Sequence, residues 1–147
     1  MKTIYLNYEG YWRQVNFGSV PTYSGVYSFQ ECRYNADNTV TLMKLLYVGQ
    51  AVNCRERIQN HEKLSTLVKS LSPGNELCVH TAPITDPDKS RAENALVYYH
   101  KPPFNETLKD SFNYDRTNIS CSGKYSLLSR SFTVERTISS ANYGYFL

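Results

Sequence analysis

Three polar side chains stand on helix faces that should otherwise be apolar. Arg57 and His61 are four residues apart in a segment of helical pattern, so they share one face of the expected helix. Glu93 lies on the same face as Leu96 and Val97 in a second such segment. A guanidinium binds anions, an imidazole transfers protons near neutral pH, and a carboxylate binds hard divalent cations. These residue types would therefore suit a polar cleft.

The same three residues also have a structural explanation. The start of a helix is often partly exposed, which would leave Arg57 and His61 in solvent. Glu93 on a core-facing stripe must be paired, hydrated or metal-bound, because burying a bare carboxylate is very costly. An ion pair between Glu93 and Arg57 would meet that requirement. Local spacing alone leaves both explanations open.

Two tyrosines and one asparagine complete the set of candidates. Tyr27 closes the tripeptide GVY and Tyr47 opens the tripeptide YVG, each within a run of β-branched and aromatic residues. Asn105 closes the segment KPPFN. Tyrosine in a strand is usually half-buried packing, and asparagine after a proline-rich turn is ordinary loop chemistry. Taken singly, none of these residues identifies a site.

The strands that would carry the two tyrosines have the clearest pattern. GVYSFQE and TVTLMKLLYVG flank the turn residues RYNADN and predict an antiparallel hairpin. TIYLNY predicts a short strand before it, and EGYWRQVNFGSVPTYS between them predicts a loop. ELCVHTAPI predicts a further strand, and the C-terminal region suggests one or two more strands and a ragged end.

Two helices are predicted around these strands. The first follows the N-cap Asn53, and its apolar spacing continues to Leu71, before the turn SPGN. The second has Asp86 as its N-cap and Pro87 in its first position, and it stops at Pro102–Pro103. The fold class is therefore α+β, with a small antiparallel or mixed sheet of about three strands flanked by helices.

Length and composition indicate one folded domain. The chain has 147 residues, of which 41% are hydrophobic and 20% charged. No segment approaches the roughly 20 apolar residues of a membrane span, and the N-terminus turns polar too early for a secretory segment. The four cysteines form no CxxC pair, so we expect reduced thiols in a cytoplasmic protein. A net charge of +3 permits a polyanionic partner, and the oligomeric state is not indicated.

Taken in order, the candidate residues resemble the GIY-YIG nuclease superfamily. The ordered set consists of GVY, YVG, Arg57, His61, Glu93 and Asn105. The resemblance covers residues 23–105 and implies a single GIY-YIG-type domain over residues 1–147, in a small stand-alone protein. Residues 106–147 would be a C-terminal extension to which no role is assigned. The implied activity is a metal-dependent endonuclease that hydrolyses phosphodiester bonds in DNA.

The resemblance also implies roles for individual residues. The catalytic residues would be Tyr27, Tyr47, Arg57, His61, Glu93 and Asn105. Glu93 would hold one Mg²⁺ or Mn²⁺, and Arg57 would bind phosphate. Tyr27 would accept the proton of the attacking water once nearby cations favour its phenolate, since the free phenol has a pKa near 10. His61 is the alternative base.

Three further residues are candidate contacts to substrate. Gly49 would let the backbone pass close to substrate or to a helix. Lys63 and Arg91 would belong to a local basic patch for DNA together with Lys69 and Lys89. Ordinary solvated helix faces carry the same residue types, so this patch has an equally simple structural explanation.

The spacing of the two tyrosines departs from the family pattern. Tyr27 and Tyr47 are 20 residues apart, because the segment ECRYNADNTVTLMK lengthens the hairpin. Specificity cannot be carried over from a family member with a short hairpin. The alternative function is a nucleic-acid-binding module that keeps the fold but does not cleave.

Overall fold

Six strands, three α-helices and one 3-10 helix make up residues 1–138, the part of the chain that the computed structural model describes. The strands are β1 (Lys2–Arg13), β2 (Gly25–Tyr34), β3 (Val40–Ala51), β4 (Glu76–Pro83), β5 (Thr117–Gly123) and β6 (Ser131–Val134). The helices are α1 (Cys54–Gln59), α2 (Leu64–Lys69) and α3 (Asp88–His100), and the 3-10 helix is Gln14–Ser19. The predicted ragged C-terminal end falls largely outside the described residues. No helix within them has the length and apolar character of a membrane span.

The strands form one mixed sheet in the order β3-β2-β4-β1-β5-β6. Strands β1 and β5 are parallel, and every other neighbouring pair is antiparallel. The α+β class is as predicted, but the expected sheet of about three strands is too small. Strands β5 and β6, which follow residue 105, continue the same sheet, and the assignment of residues 106–147 as a C-terminal extension stays a prediction.

Strand β1 joins the two halves of the sheet by changing partner along its length. Lys2–Tyr8 pairs with β5, and Glu9–Arg13 pairs with β4. The change occurs between Tyr8 and Glu9, next to Gly10, which has a φ of +148° and at which a Cβ would lie 3.1 Å from the Cβ of His80. The loop predicted from Glu9 onward was therefore wrong for the first five of its residues, which are strand.

The long hairpin of β2 and β3 is confirmed. Its register runs from Gly25 opposite Ala51 to Tyr34 opposite Val40, with two bulges along the way. Strand β3 lies at the edge of the sheet, and β2 pairs with β4 on its other side. The segment that lengthens the hairpin is thus regular strand up to a tight tip at residues 35–39.

The single helix predicted after Asn53 is instead two short helices. The N-cap is confirmed, because Asn53 Oδ1 accepts a hydrogen bond from the backbone N–H of Glu56 at 3.1 Å. The helix then ends because two polar side chains bond to the backbone nearby. Asn60 Nδ2 donates to the carbonyl of Glu56 at 2.9 Å, and the backbone N–H of Lys63 donates to His61 Nδ1 at 3.1 Å. Arg57 and His61 therefore do not share one helix face.

Helix α3 runs almost as predicted. It ends at His100, where Lys101 takes a left-handed conformation (φ +49°) immediately before Pro102. Its beginning differs, because Pro87 and not Asp86 occupies the N-cap position and no side chain caps the helix.

Two hydrophobic clusters cover the two faces of the sheet. Val26 belongs to one cluster and its neighbour Tyr27 to the other, as expected from the alternation of side chains along a strand. The first cluster packs α3 against the sheet through buried residues such as Ala92, Ala95, Leu96, Phe112 and Ile119. The second packs α1 and α2 through Ile58, Leu67, Phe29, Phe17 and Val79.

Candidate active site

The two phenols meet on one face of the β2–β3 hairpin. Tyr27 lies opposite Gly49 in the register, and Phe29 lies opposite Tyr47. The ring centroids of Tyr27 and Tyr47 are 6.3 Å apart. A Cβ on Gly49 would lie 2.5 Å from Tyr27 Oη, so the buried phenol lies directly over the glycine. Gly49 thus admits the Tyr27 ring, and its predicted approach to substrate stays a prediction.

His61 lies at the centre of an aromatic cluster. It belongs to the loop between α1 and α2, and its ring centroid is 5.0 Å from that of Tyr47 and 5.8 Å from that of Tyr27. Both contacts are edge to face. Its Nδ1 accepts the backbone N–H of Lys63, so the neutral ring carries its proton on Nε2. Nε2 is buried and has no hydrogen-bond partner among residues 1–138.

The environment of His61 keeps it neutral. Burial, and after it the charge of Arg57, lower the pKa of its imidazole to about 4. With Nδ1 occupied by a backbone donor, the neutral imidazole presents a donor at Nε2 and no free lone pair. The geometry is therefore that of a hydrogen-bond donor.

Arg57 reaches the phenols from α1 but is already paired. Its Nη1 and Nη2 donate to the two carboxylate oxygens of Glu62, at 2.6 Å and 3.0 Å. The hydrogen bonds from Arg57 lower the pKa of Glu62 to about 2. The ion pair expected between Arg57 and Glu93 is not formed. Glu62, whose side chain is 62% exposed, is a partner that the sequence did not reveal.

Burial dominates the ionisation of both phenols. It raises the pKa of Tyr27 well above its usual value, with a further rise from Tyr47, and the positive charge of Arg57 only partly opposes this. The pKa of Tyr47 is raised by burial and by the charge of Glu93. Arg57 acts in the expected direction, but in the protein alone both phenols stay protonated at neutral pH.

Glu93 approaches the same phenols from α3. Its Oε1 accepts a hydrogen bond from Gln50 Nε2 at 2.9 Å, and Gln50 directly follows Gly49 on β3. Burial raises the pKa of Glu93, while the bond from Gln50 lowers it. The carboxylate is close enough that its charge raises the pKa of both Tyr27 and Tyr47. Strand β3 and helices α1 and α3 thus converge on one site.

Glu93 is compatible with a divalent cation. Residues 1–138 contain no cluster of three or more metal-ligating His, Cys, Asp or Glu side chains. Mg²⁺, however, usually keeps several waters and binds one or two carboxylates together with substrate phosphates. Only Oε1 of Glu93 is bonded within the described residues, which leaves Oε2 for such a cation.

Asn105 holds the segment after α3 against the edge strand. Its Oδ1 accepts the backbone N–H of Val48 at 3.0 Å, and its Nδ2 donates to the carbonyl of Val48 at 2.8 Å. The backbone N–H of Phe104 donates to the carbonyl of Leu46 in the same way. Asn105 is 7% exposed. It extends the sheet like a further strand residue and fixes the segment beside Tyr47.

The predicted basic residues lie in different places. Lys63 Nζ pairs with Glu106 at 3.0 Å and lies 6.0 Å from the ring centroid of Tyr47, which places Lys63 at the site. Arg91 instead pairs with Asp115 at 2.7 Å, and its side chain is 15% exposed. Arg91 therefore ties α3 to the segment that leads into β5.

Lys89 does not belong to a surface patch either. It is buried, and its Nζ donates to Ser24 Oγ at 3.0 Å. The four predicted members of the basic patch therefore do not form one charged surface.

A cavity of about 390 Å³ does open beside Arg57, lined also by Asn53, Glu56 and Asn60.

Comparison with curated proteins finds similarity to UvrABC system protein C from three organisms. The protein of Borrelia turicatae is 36% identical over 106 residues, which is 69% of this chain. Those of Haloarcula marismortui and Helicobacter hepaticus are 30% and 33% identical over 66% and 68% of this chain. The chain spans only 16% of the length of each relative. No family model matches the chain, and no solved structure matches it. The similarity to these relatives supports a GIY-YIG-type nuclease domain.

Replacing Gly49 by alanine tests the contact that positions the first phenol. The new Cβ would overlap the buried ring of Tyr27, so we expect a loss of about 1–3 kcal/mol in the free energy of unfolding. Urea denaturation measures this loss. Gly18→Ala is the control, because its Cβ would find its nearest atom at 3.5 Å. Equal stability of the two variants would contradict the contact.

The ionisation of His61 can be measured directly. We expect its imidazole to titrate near pH 4 in the folded protein by NMR, and near 6.5 when the protein is unfolded in urea. Because the unfolded state binds the proton first, the stability that the neutral His61 contributes is complete above pH 6.5. It is lost as the pH falls towards 4. A folded midpoint close to 6.5 would show that the ring is not buried as described.

Proposed function

We propose that this chain is a metal-dependent endonuclease domain that hydrolyses phosphodiester bonds in DNA. The observation that carries the proposal is that Glu93, from α3, is bonded to Gln50, the residue after the Gly49 that the Tyr27 phenol covers, with Tyr47 and His61 packed beside that phenol. The similarity to UvrABC system protein C supports the same class of activity. The cation would be Mg²⁺ or Mn²⁺, held by Glu93.

Each residue has a distinct role in this proposal. A cation at Glu93 would polarise the phosphate and stabilise the leaving oxygen. Tyr27 would first lose its own phenolic proton to solvent, favoured by Arg57 and by a cation at Glu93. The phenolate would then accept the proton of the attacking water, directly or through a relay. His61 orients the phenols by packing edge-on against both rings, and its Nε2, which has no partner within the described residues, is a donor rather than a base because Nδ1 is bonded to the backbone. Tyr47 orients the phosphate or the water, and Asn105 supports the site without reacting.

A non-cleaving nucleic-acid-binding module with the same fold is the second candidate. Two observations favour this candidate: burial keeps both phenols protonated, and the Arg57 guanidinium is already paired with the Glu62 carboxylate. A binding module would need neither a phenolate nor a free guanidinium.

The cellular compartment of the domain is also part of the proposal. Cys32, Cys54, Cys78 and Cys121 are all free and buried, as suits a protein from a reducing compartment such as the cytoplasm. Its action as a stand-alone protein stays a prediction, as does the division of residues 1–147 into a core and an extension.

A cleavage assay separates the two candidate functions. Plasmid, branched and single-stranded DNA would be incubated with the protein in Mg²⁺ or Mn²⁺. We expect Tyr27→Phe to lower the rate by about 10²–10⁴-fold, because the general base is removed, and Glu93→Gln to abolish cleavage. Tyr5→Phe is the matched control, since that phenol is 76% exposed and outside the site.

Two results would contradict the proposal. Absence of cleavage on every DNA, with binding retained, would identify the chain as a binding module. A full cleavage rate in Tyr27→Phe would remove Tyr27 as the base while leaving the nuclease activity in place.

The pairing of Arg57 with Glu62 predicts that substrate binding must displace a carboxylate. Glu62→Gln should therefore bind DNA more tightly, by up to about fivefold at low salt, because an exposed ion pair contributes at most about 1 kcal/mol. Fluorescence anisotropy with labelled DNA in EDTA measures the affinity. Glu135→Gln removes the same charge at another exposed position and serves as the control. Unchanged or weaker binding of Glu62→Gln relative to this control would show that phosphate does not compete with Glu62.

A further inference from the structure

A second cavity lies at the far end of the hairpin from the phenols. We call it the tip pocket; it has a volume of about 440 Å³, and its lining includes Tyr11, Arg13, Asn16, Tyr34, Thr39 and Lys124. Tyr27 and Tyr34 are seven residues apart on β2, which places the tip pocket roughly 23 Å along the strand from the candidate active site. The two sites are therefore distinct.

One wall of the tip pocket is a flat cationic surface held in place. The guanidinium carbon of Arg13 lies 3.6 Å from the ring centroid of Tyr34. Arg13 Nε and Nη2 donate to the carboxylate of Glu76 at 2.9 Å and 3.0 Å, and Tyr34 Oη donates to Asn38 Oδ1 at 2.5 Å. These bonds fix the stacked pair. A planar guanidinium stacked in this way offers its other face to a further flat group.

A second aromatic ring of the tip pocket, that of Tyr11, is held in place by its neighbours. Tyr11 stacks on the buried ring of His80, with centroids 5.8 Å apart and planes inclined by 20°. Tyr11 Oη accepts the backbone N–H of Ser126 at 3.1 Å, and His80 Nδ1 donates to the carbonyl of Lys124 at 2.7 Å. The ring of Tyr11 thus needs little reordering to serve as a platform, which lowers the entropic cost of binding.

The positive charge of the tip pocket comes mainly from Lys124. Glu76 neutralises Arg13, whereas Lys124 is exposed and forms no ion pair within residues 1–138. The rim also carries the polar side chains of Asn16 and Thr39. Flat aromatic surfaces beside a free cation are the features by which proteins bind single strands, through base stacking and phosphate contact.

We propose that the tip pocket binds a nucleotide of single-stranded DNA, with the base stacked on Tyr11 or on the Arg13–Tyr34 pair and the phosphate near Lys124. A single strand fits better than a duplex, because only an unstacked base exposes its face to such a platform. The volume is within the range of pockets that hold ligands of this size. The choice of DNA rests on the proposed function.

Binding of a short oligonucleotide tests the tip pocket. The probe is a fluorescently labelled strand of four thymidine nucleotides, and its affinity is measured by anisotropy in EDTA. We expect Tyr11→Ala to weaken binding by about tenfold, which is a typical loss for one stacked base. Lys124→Gln should make the dependence of log K on log salt concentration shallower by about 0.7.

Matched variants control for general losses. Tyr5→Ala removes an exposed phenol and Lys44→Gln an exposed lysine, neither of which lines the tip pocket. Thermal unfolding shows whether Tyr11→Ala still folds, and Lys124→Gln keeps the test valid if it does not. An effect of the tip-pocket variants beyond that of the controls supports the proposal. Absence of binding, or equal binding by Lys124→Gln and Lys44→Gln, overturns it.

The outcome is separable from that of the proposed function. If the protein cleaves DNA but binds the oligonucleotide equally well in Tyr11→Ala and Lys124→Gln, only the tip-pocket proposal is overturned. Oligonucleotide binding that depends on both residues, in a protein that cleaves no DNA, supports the tip pocket and removes the nuclease assignment.

Discussion

The contact between the Tyr27 ring and Gly49 is the constraint from which the candidate active site follows. Because the two residues face each other across β2 and β3, the phenol can lie flat only where the partner strand has no side chain. Tyr47 lies two residues earlier on β3 and shares the same face. Gln50 follows Gly49, points the other way and bonds to Glu93. Gly49 and Gln50 are thus consecutive residues of the edge strand β3. Gly49 lies under the Tyr27 phenol on one face of the sheet, and Gln50 bonds to the Glu93 carboxylate from the other face.

Apart from Glu93, the titratable groups of the candidate active site are neutral or paired before any ligand arrives. Burial keeps both phenols protonated and His61 neutral, and Arg57 is paired with Glu62. A dehydrated site tolerates little unpaired charge, so this balance favours folding. A bound phosphate and a bound cation would therefore add charges that the ligand-free site lacks. A cation near Tyr27 would lower the pKa of its phenol and so oppose the effect of burial.

Local patterns in the sequence predicted the parts of the fold that depend on neighbouring residues. The runs rich in β-branched and aromatic residues predicted β2 and β3, and Pro102 predicted the end of α3. The break after Gln59 was missed because it depends on side chains of Asn60 and His61 that bond to the backbone. The parallel pairing of β1 with β5 joins residues more than a hundred positions apart, which no local pattern reports. Family motifs gave the candidate residues of the site, but their partners Gln50 and Glu62 depend on distances that only the fold sets.

The length of the hairpin, which departs from the family pattern, has a structural consequence. The added residues continue β2 to Tyr34 and place Asn38 and Thr39 at the tip, where they form one wall of the tip pocket. The opposite wall includes Tyr11 and Arg13 of β1, in the part of that strand that pairs with β4. A shorter hairpin would keep the contact of Tyr27 with Gly49 but lose the stack of Arg13 on Tyr34. The active-site end of the hairpin can therefore be shared with relatives, whereas the tip is where this chain can acquire a binding preference of its own.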